Sequence, residues 1–461
     1  MKTFATLASA LALAACATGP NYFRPVTSAP AAGPFVAANS PAVQPLAPVP
    51  ANWWRLYNDP VLDGLIADAL ARNTDVRAAV ARLARARASL REVKVDRLPQ
   101  GGVSASATRG RDEGSSNAST DYSAGLEVAY EVDLFGRVRR GVEAAKGDVG
   151  AAEADADAVR IAIVSDTARA YADAASAAER LAVAEHIVQL LDESLRLTEK
   201  QVEIGQTTRL DTARIATLRN QRQAEIPAIA ADRESALFRL ATLTGRAPAE
   251  LPSVAGARTT SLKLDQPIPV GDGAQLLARR PDVRAAERRL AASTARIGVA
   301  TAELYPQVTL GRSLSSGAGS IGNLFSNPIG FLIGPLISWS FSDHARARAR
   351  VAGAEAGSQE ALAQFDGTVL RSLQETETAL SAYSNVLRQR EALQAARNEA
   401  EVAAKIVRAQ QREGQVDSLA LLDAERTFAE SEAQLADING EVASAQINLF
   451  RALGGGWSAQ G

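Results

Sequence analysis

The sequence holds one cysteine and two histidines, His186 and His344, in 461 residues. An ordinary His/Cys zinc site is out of reach, and so is an intrachain disulfide framework. Aromatic residues are only 5%, and 50 Lys+Arg nearly cancel 52 Asp+Glu, so no basic surplus points to nucleic acid. Past the first residues every apolar run is cut by Arg, Asp, Glu or Gly, and mean hydropathy is −0.07. No segment there reaches the about 20 apolar residues of a membrane-spanning helix. A crossing would have to be a barrel, the other structure that satisfies its backbone in lipid. What remains, 46% hydrophobic and 22% charged residues, is the composition of a folded protein. A carboxylate-only metal site stays formally open, but no nucleophile–base pair or ligand constellation supports an enzyme or a cofactor.

The lone cysteine has a distinctive setting. Met1-Lys2 opens a basic start, and Thr3 to Ala15 is an apolar run rich in Ala and Leu. At about 13 residues it is too short to span a bilayer and reads as a signal peptide, residues 1–15. It ends in Leu13-Ala14-Ala15-Cys16, which resembles the lipobox of bacterial lipoproteins, with Cys16 as the acylated first residue. Ala17 in place of Asp favours, by the same resemblance, delivery to the outer membrane. A buried or incidental cysteine is the plainer alternative.

An internal repeat organises the rest. Asn73-Thr74-Asp75-Val76-Arg77-Ala78-Ala79 recurs 207 positions on as Arg280-Pro281-Asp282-Val283-Arg284-Ala285-Ala286. Leu98-Pro99-Gln100 recurs as Tyr305-Pro306-Gln307, and Gly205-Gln206 with Leu210 as Gly414-Gln415 with Leu419. The expected layout is a lipidated extended segment 16–55, a first repeat 56–250, a linker 251–272, a second repeat 273–456 and a tail 457–461.

Within each repeat the periodicity changes in the same order. Leu62, Leu65, Ile66, Ala69 and Leu70, continued by Val76, Ala79, Val80, Leu83 and Ala86, predict one helix, and its counterpart runs from about 274 to 304. Strand pairs follow, at 102–132 and 308–341. Tyr122, Leu126, Val128 and Tyr130 alternate with Ser123, Gly125, Glu127 and Ala129, as the lipid and lumen faces of a barrel strand would. A soluble sandwich strand is the alternative. Val308-Thr309-Leu310 is expected to lead through a Gly/Ser loop to Ile329, Phe331, Ile333 and Ile337.

Long helical hairpins, 138–245 and 343–453, complete each repeat. Val142, Val149, Ala156, Ile163, Ala170, Ala177, Ala184 and Leu191 recur every seven residues, the signature of supercoiled helices packed side by side. Some 65 helical residues reach on the order of 100 Å. Gly205 and Gly414 sit where the chain must turn, as helix C-caps. Four strands cannot close a membrane barrel, so several chains must share one.

These features resemble the outer-membrane efflux ducts of the OprM/TolC superfamily, in the lipoprotein branch called NodT. The residues that carry the likeness are Gly19-Pro20-Asn21-Tyr22-Phe23-Arg24-Pro25, Trp53-Trp54 with Asp59-Pro60-Val61-Leu62, Arg280-Pro281-Asp282-Val283 with Ala286-Glu287, and Leu449-Phe450-Arg451-Ala452-Leu453-Gly454-Gly455-Gly456-Trp457. The resemblance implies an α+β membrane protein. Three chains would form a 12-stranded outer-membrane β-barrel continued by a periplasmic α-barrel. That homotrimer would dock on a periplasmic adaptor and an inner-membrane RND-type pump in a Gram-negative cell, as a passive duct for drugs or other small solutes. Peptide or protein secretion is the alternative within the architecture, and a lipid-anchored periplasmic scaffold the alternative outside it. Trp339-Ser340-Phe341-Ser342-Asp343-His344 departs from the family pattern.

By the same resemblance, Leu422-Asp423-Ala424 would supply a carboxylate ring to the periplasmic constriction, with Arg426 as a basic neighbour. Asp211 matches a residue of the closed-state contacts, and the tips at Gly205 and Gly414 would meet the adaptor. Ala420, Gln411 and Val416 replace polar family positions. Plainer readings exist for each. Asp423 and Arg426 could form a surface ion pair, three residues apart on a helix. Thr208 with Asp211 could be a capping box. Gly317-Ala318-Gly319-Ser320-Ile321-Gly322 has the spacing of a dinucleotide loop, but no helix is expected after it, and it reads as an exposed loop.

Overall fold

The computed structural model describes residues 17–26, 28–111, 118–264, 266–324, 326, 328–339, 343–413 and 415–455. The signal segment, Cys16, Phe341, Gly414 and the tail 457–461 lie outside them.

A short strand, β1 (Val43–Pro45), precedes helices α1 (Pro60–Arg72) and α2 (Thr74–Val95), strands β2 (Gln100–Gly110) and β3 (Ser119–Val132), and helices α3 (Arg137–Glu203) and α4 (Arg209–Leu243). The second half follows the same plan. It runs β4 (Ile268–Gly271), α5 (Gly273–Arg279), α6 (Pro281–Ala302), β5 (Gln307–Ala318), β6 (Gly330–Ser338), α7 (His344–Arg412) and α8 (Ser418–Ala452).

Two expectations are corrected. The single opening helix is broken in both halves. In the first, Asn73 accepts the N–H groups of Asp75 and Val76 on its Oδ1 at 2.8 and 3.2 Å, starting a new helix, while its amide donates to the Leu243 carbonyl. In the second, Pro281 keeps Arg280 extended, at φ −66° and ψ 123°. The other correction concerns the Gly/Ser stretch after Leu310. It continues as strand to Ala318, because β3 and β6 flank it and satisfy its backbone despite its small side chains.

The chain divides into two compact units. One lies within Met1–Val26, Ala81–Ala154 and Arg284–Thr368 and contains the sheet β2-β3-β5-β6, antiparallel throughout. The other lies within Thr27–Val80, Asp155–Val283 and Val369–Gly461 and contains the larger core. In that core Trp53, fully buried, stacks on Phe450 with ring centroids 4.7 Å apart, bringing together motifs from opposite ends of the sequence. Asp59 caps α1 by accepting from the Val61 and Leu62 N–H groups. Its second oxygen accepts from Tyr171 at 2.9 Å and Arg258 at 3.0 Å. Burial together with the Asp59 carboxylate pushes the Tyr171 phenol well above its ordinary range. Of the seven-residue series in α3, all members are buried except Val149, which is half-buried.

Candidate channel sites

The register of the sheet fixes which side chains share a face. Val103, Leu126, Leu314 and Phe331 form one rung, and Val132, Val308 and Ile337 belong to the same face. The opposite face carries Gly102, Glu127, Ser313 and Leu332 on one rung, with Glu131 and Thr309 on another. One apolar and one largely polar face is the pattern of a strand set between lipid and water. Arg312 breaks it, standing on the apolar face between Val128 and Ile333 in the middle of β5.

At the first hairpin tip α3 ends in a double hydrogen-bonded turn. The Gln206 N–H reaches the Gln201 carbonyl at 2.8 Å and the Gly205 N–H the Val202 carbonyl at 3.0 Å. Gly205 has φ +77°, a conformation a side chain would strain, although the space around it is open. Asp211 then closes the start of α4. Its Oδ2 accepts from the Thr208 N–H at 3.2 Å and from the hydroxyls of Thr207 and Thr208 at 2.8 and 2.7 Å. These bonds, the Thr208 hydroxyl foremost, hold its pKa below the usual carboxylate value. At the second tip the Gln415 N–H bonds the Gln410 carbonyl at 2.9 Å, the same five-residue return. Asp417 caps α8 by accepting from the Ala420 N–H.

Asp423 lies exposed on α8, and its carboxylate makes no ion pair or hydrogen bond among the described residues. The pair with Arg426 that the spacing offered is not formed. Arg426 turns instead to Glu430, one helical turn on, at 3.1 Å. Glu430 also receives Arg222 from α4 at 3.4 Å.

The sequence reading missed Glu425, which lies between Asp423 and Arg426 in the sequence and is buried. Arg408 of α7 grips it with both nitrogens, at 2.5 and 2.7 Å, and Ser194 of α3 approaches at 3.5 Å. That carboxylate raises the Arg408 pKa. Arg397 and Arg408 both lie over the Phe428 ring, 5.4 and 5.8 Å from its centroid. The available signal was an acid within an apolar stripe, Leu421, Glu425 and Phe428 at helical spacing. Nearby, the Gln411 amide donates to Gln201 at 2.6 Å, joining the ends of the two long helices.

Far along the chain from these tips, the segment after Cys16 is clamped at the junction of β3 and α3. The Thr18 N–H donates to the Phe135 carbonyl at 3.0 Å, and Arg140 donates to the carbonyls of Thr18 and Gly19 and to Asn21. Of Gly317–Gly322, expected as an exposed loop, Gly317 and Ala318 instead end β5, with Ala318 buried, and only residues 319–322 form an exposed turn.

The model of the family described as "Outer membrane efflux protein" matches residues 65–246 and again 273–455. The chain belongs to this family. Outer membrane protein OprJ of Pseudomonas aeruginosa is 33% identical over 460 residues, covering 97% of this chain and 94% of that protein. The pyoverdine export outer membrane protein OpmQ of the same organism is 30% identical, covering 100% and 98%. Among solved structures, the outer-membrane channel OprN superposes with a TM-score of 0.90 at 35% identity, over 96% of this chain and 100% of that one. This efflux protein is therefore an outer-membrane channel component, not an enzyme, and its strand pairs are those of a channel and not of a periplasmic scaffold.

Proposed function

We propose that three copies of this efflux protein form the exit duct of a tripartite system. The duct passes drugs or other small solutes, received from an inner-membrane RND-type pump through a periplasmic adaptor. The observation that carries the gating part of this reading is the unpaired, exposed carboxylate of Asp423, less than two helical turns past the Asp417 cap. In a threefold ring three such carboxylates converge on one narrow lumen, where low-dielectric walls strengthen their field and favour cations. Arg426, bound to Glu430, leaves that field largely uncancelled. The relative OpmQ, named for pyoverdine export, supports a small organic cargo. The adaptor meets the hairpin tips at Gly205 and Gly414, where Ile204, Leu210 and Leu419 stand exposed. Cys16 carries the acyl anchor, and the clamp on Thr18 and Gly19 supports a fixed attachment there.

In planar bilayers Asp423→Ala should raise conductance and weaken cation preference while the oligomer stays folded. Asp417→Ala removes an N-cap, costs about 1 kcal/mol, and should leave selectivity alone. Unchanged conductance and selectivity in Asp423→Ala would remove this residue from the constriction.

A further inference from the structure

We propose that Arg408 and Glu425 are positioning residues, whose pair sets the rotation of α8 about its own axis and so aims the Asp423 carboxylate. The inference rests on the reading of Asp423 as a constriction residue and concerns what holds it there. Near its start α8 has two opposite faces. Leu421, Glu425, Phe428 and Ala429 are buried on one, and Leu419, Asp423, Arg426 and Thr427 are exposed on the other. Glu425 follows Asp423 by two residues, which places it about 200° further round the helix. Whatever turns Glu425 toward the interior therefore turns Asp423 away from it.

Leu421 and Phe428 alone would define that rotation loosely, because apolar burial is non-directional. The Glu425 carboxylate is directional. Arg408 of α7 donates from Nε to its Oε1 at 2.5 Å and from Nη2 to its Oε2 at 2.7 Å, a two-pronged geometry that fixes how the two helices face each other. Ser194 of α3 donates to the same Oε1 at 3.5 Å, so Glu425 is held from two helices. The lock is repeated further along α8. Glu432, seven residues past Glu425 and on the same face, accepts from Arg397 of α7 at 3.1 Å, and Arg397 and Arg408 both lie over the Phe428 ring between them.

Removing either partner leaves the other charge buried and uncompensated, and a small turn of α8 is the way to return it to water. Side-chain ends lie about 5–6 Å from a helix axis, so a turn of about 30° carries the Asp423 carboxylate about 3 Å sideways. In a narrow lumen with low-dielectric walls, a shift of that size changes the field a passing ion meets.

A pair that acted only through its charges would give single variants of opposite sign. Arg408→Gln, which removes a positive charge, would strengthen cation preference, and Glu425→Gln would weaken it. As positioning residues both should weaken it, each by at least half as much as Asp423→Ala. The readout is the potassium-over-chloride permeability ratio of the full-length protein in planar bilayers. The exchanged pair, Arg408→Glu with Glu425→Arg, should recover most of the loss. Glu375→Gln removes an ion pair that α7 makes with Arg280, about 50 Å along the helix from Arg408, and should leave the ratio unchanged. Arg408→Lys keeps the charge but gives up the two-pronged grip. It replaces Arg408→Gln if that variant does not assemble, and it too should lose cation preference. An unchanged or stronger preference in the Arg408 variant, with Asp423→Ala weakened, overturns the positioning role and leaves the constriction standing. An unchanged ratio in Asp423→Ala overturns both.

Discussion

Asp211 commits its carboxylate to the helix it begins, and the consequence is a pH dependence with a definite sign. A carboxyl whose pKa is lowered by folding adds stability in full above its ordinary value, and loses it as pH falls through the lowered one. The first turn of α4 should therefore be protected at neutral pH and loosen in acid. Asp211→Ala should cost about 1 kcal/mol locally. Hydrogen exchange of residues 208–211 should show lower protection in the variant at neutral pH and convergence with the native protein in acid. Equal protection at neutral pH would leave the cap without energetic weight. Asp211 was legible in the sequence because a cap is made within four residues of itself. Glu425 was not, because its partner Arg408 lies 17 residues back on another helix and only tertiary packing joins them.

Among the elements, the strands were half legible. β3 announces itself by alternation, whereas the second half of β5 does not, because Gly311, Ser313, Ser315 and Ser316 look like a loop until flanking strands supply their hydrogen bonds. The register puts Leu126 and Glu127 on opposite faces and adds Arg312 to the face of Leu126. Placing Arg on a lipid face near mid-membrane costs about 2–4 kcal/mol. Leu126→Arg should accordingly lower the temperature at which the oligomer dissociates on gels, and Glu127→Arg should hardly change it. Arg312→Leu should raise it. If Leu126→Arg and Glu127→Arg proved equally harmless, the two faces would have to be exchanged.

At the scale of the molecule, the duplication was the most legible feature, because insertions are few and equivalent glycines keep their spacing through both halves. The broken opening helices were less so, since the break at Asn73 depends on Leu243, a residue 170 positions away. The proposed anchor invites a direct test. Cys16→Ser should abolish acylation, read by mass spectrometry, yet leave the oligomer assembled, because one lipid group adds only a second hold beside a barrel. An unmodified Cys16 on the native protein would remove the anchor altogether. The clamp that follows Cys16 has a further effect. A Cβ on Gly136, which sits at φ +81°, would come within 2.8 Å of the Ala17 side chain, so Ala17 lies hard against the turn between β3 and α3. One peptide link joins Ala17 to Cys16. If Cys16 carries the proposed lipid, a neighbour held this closely would make the acyl chains a depth gauge, holding the rim of the barrel at one level in the leaflet instead of letting it float.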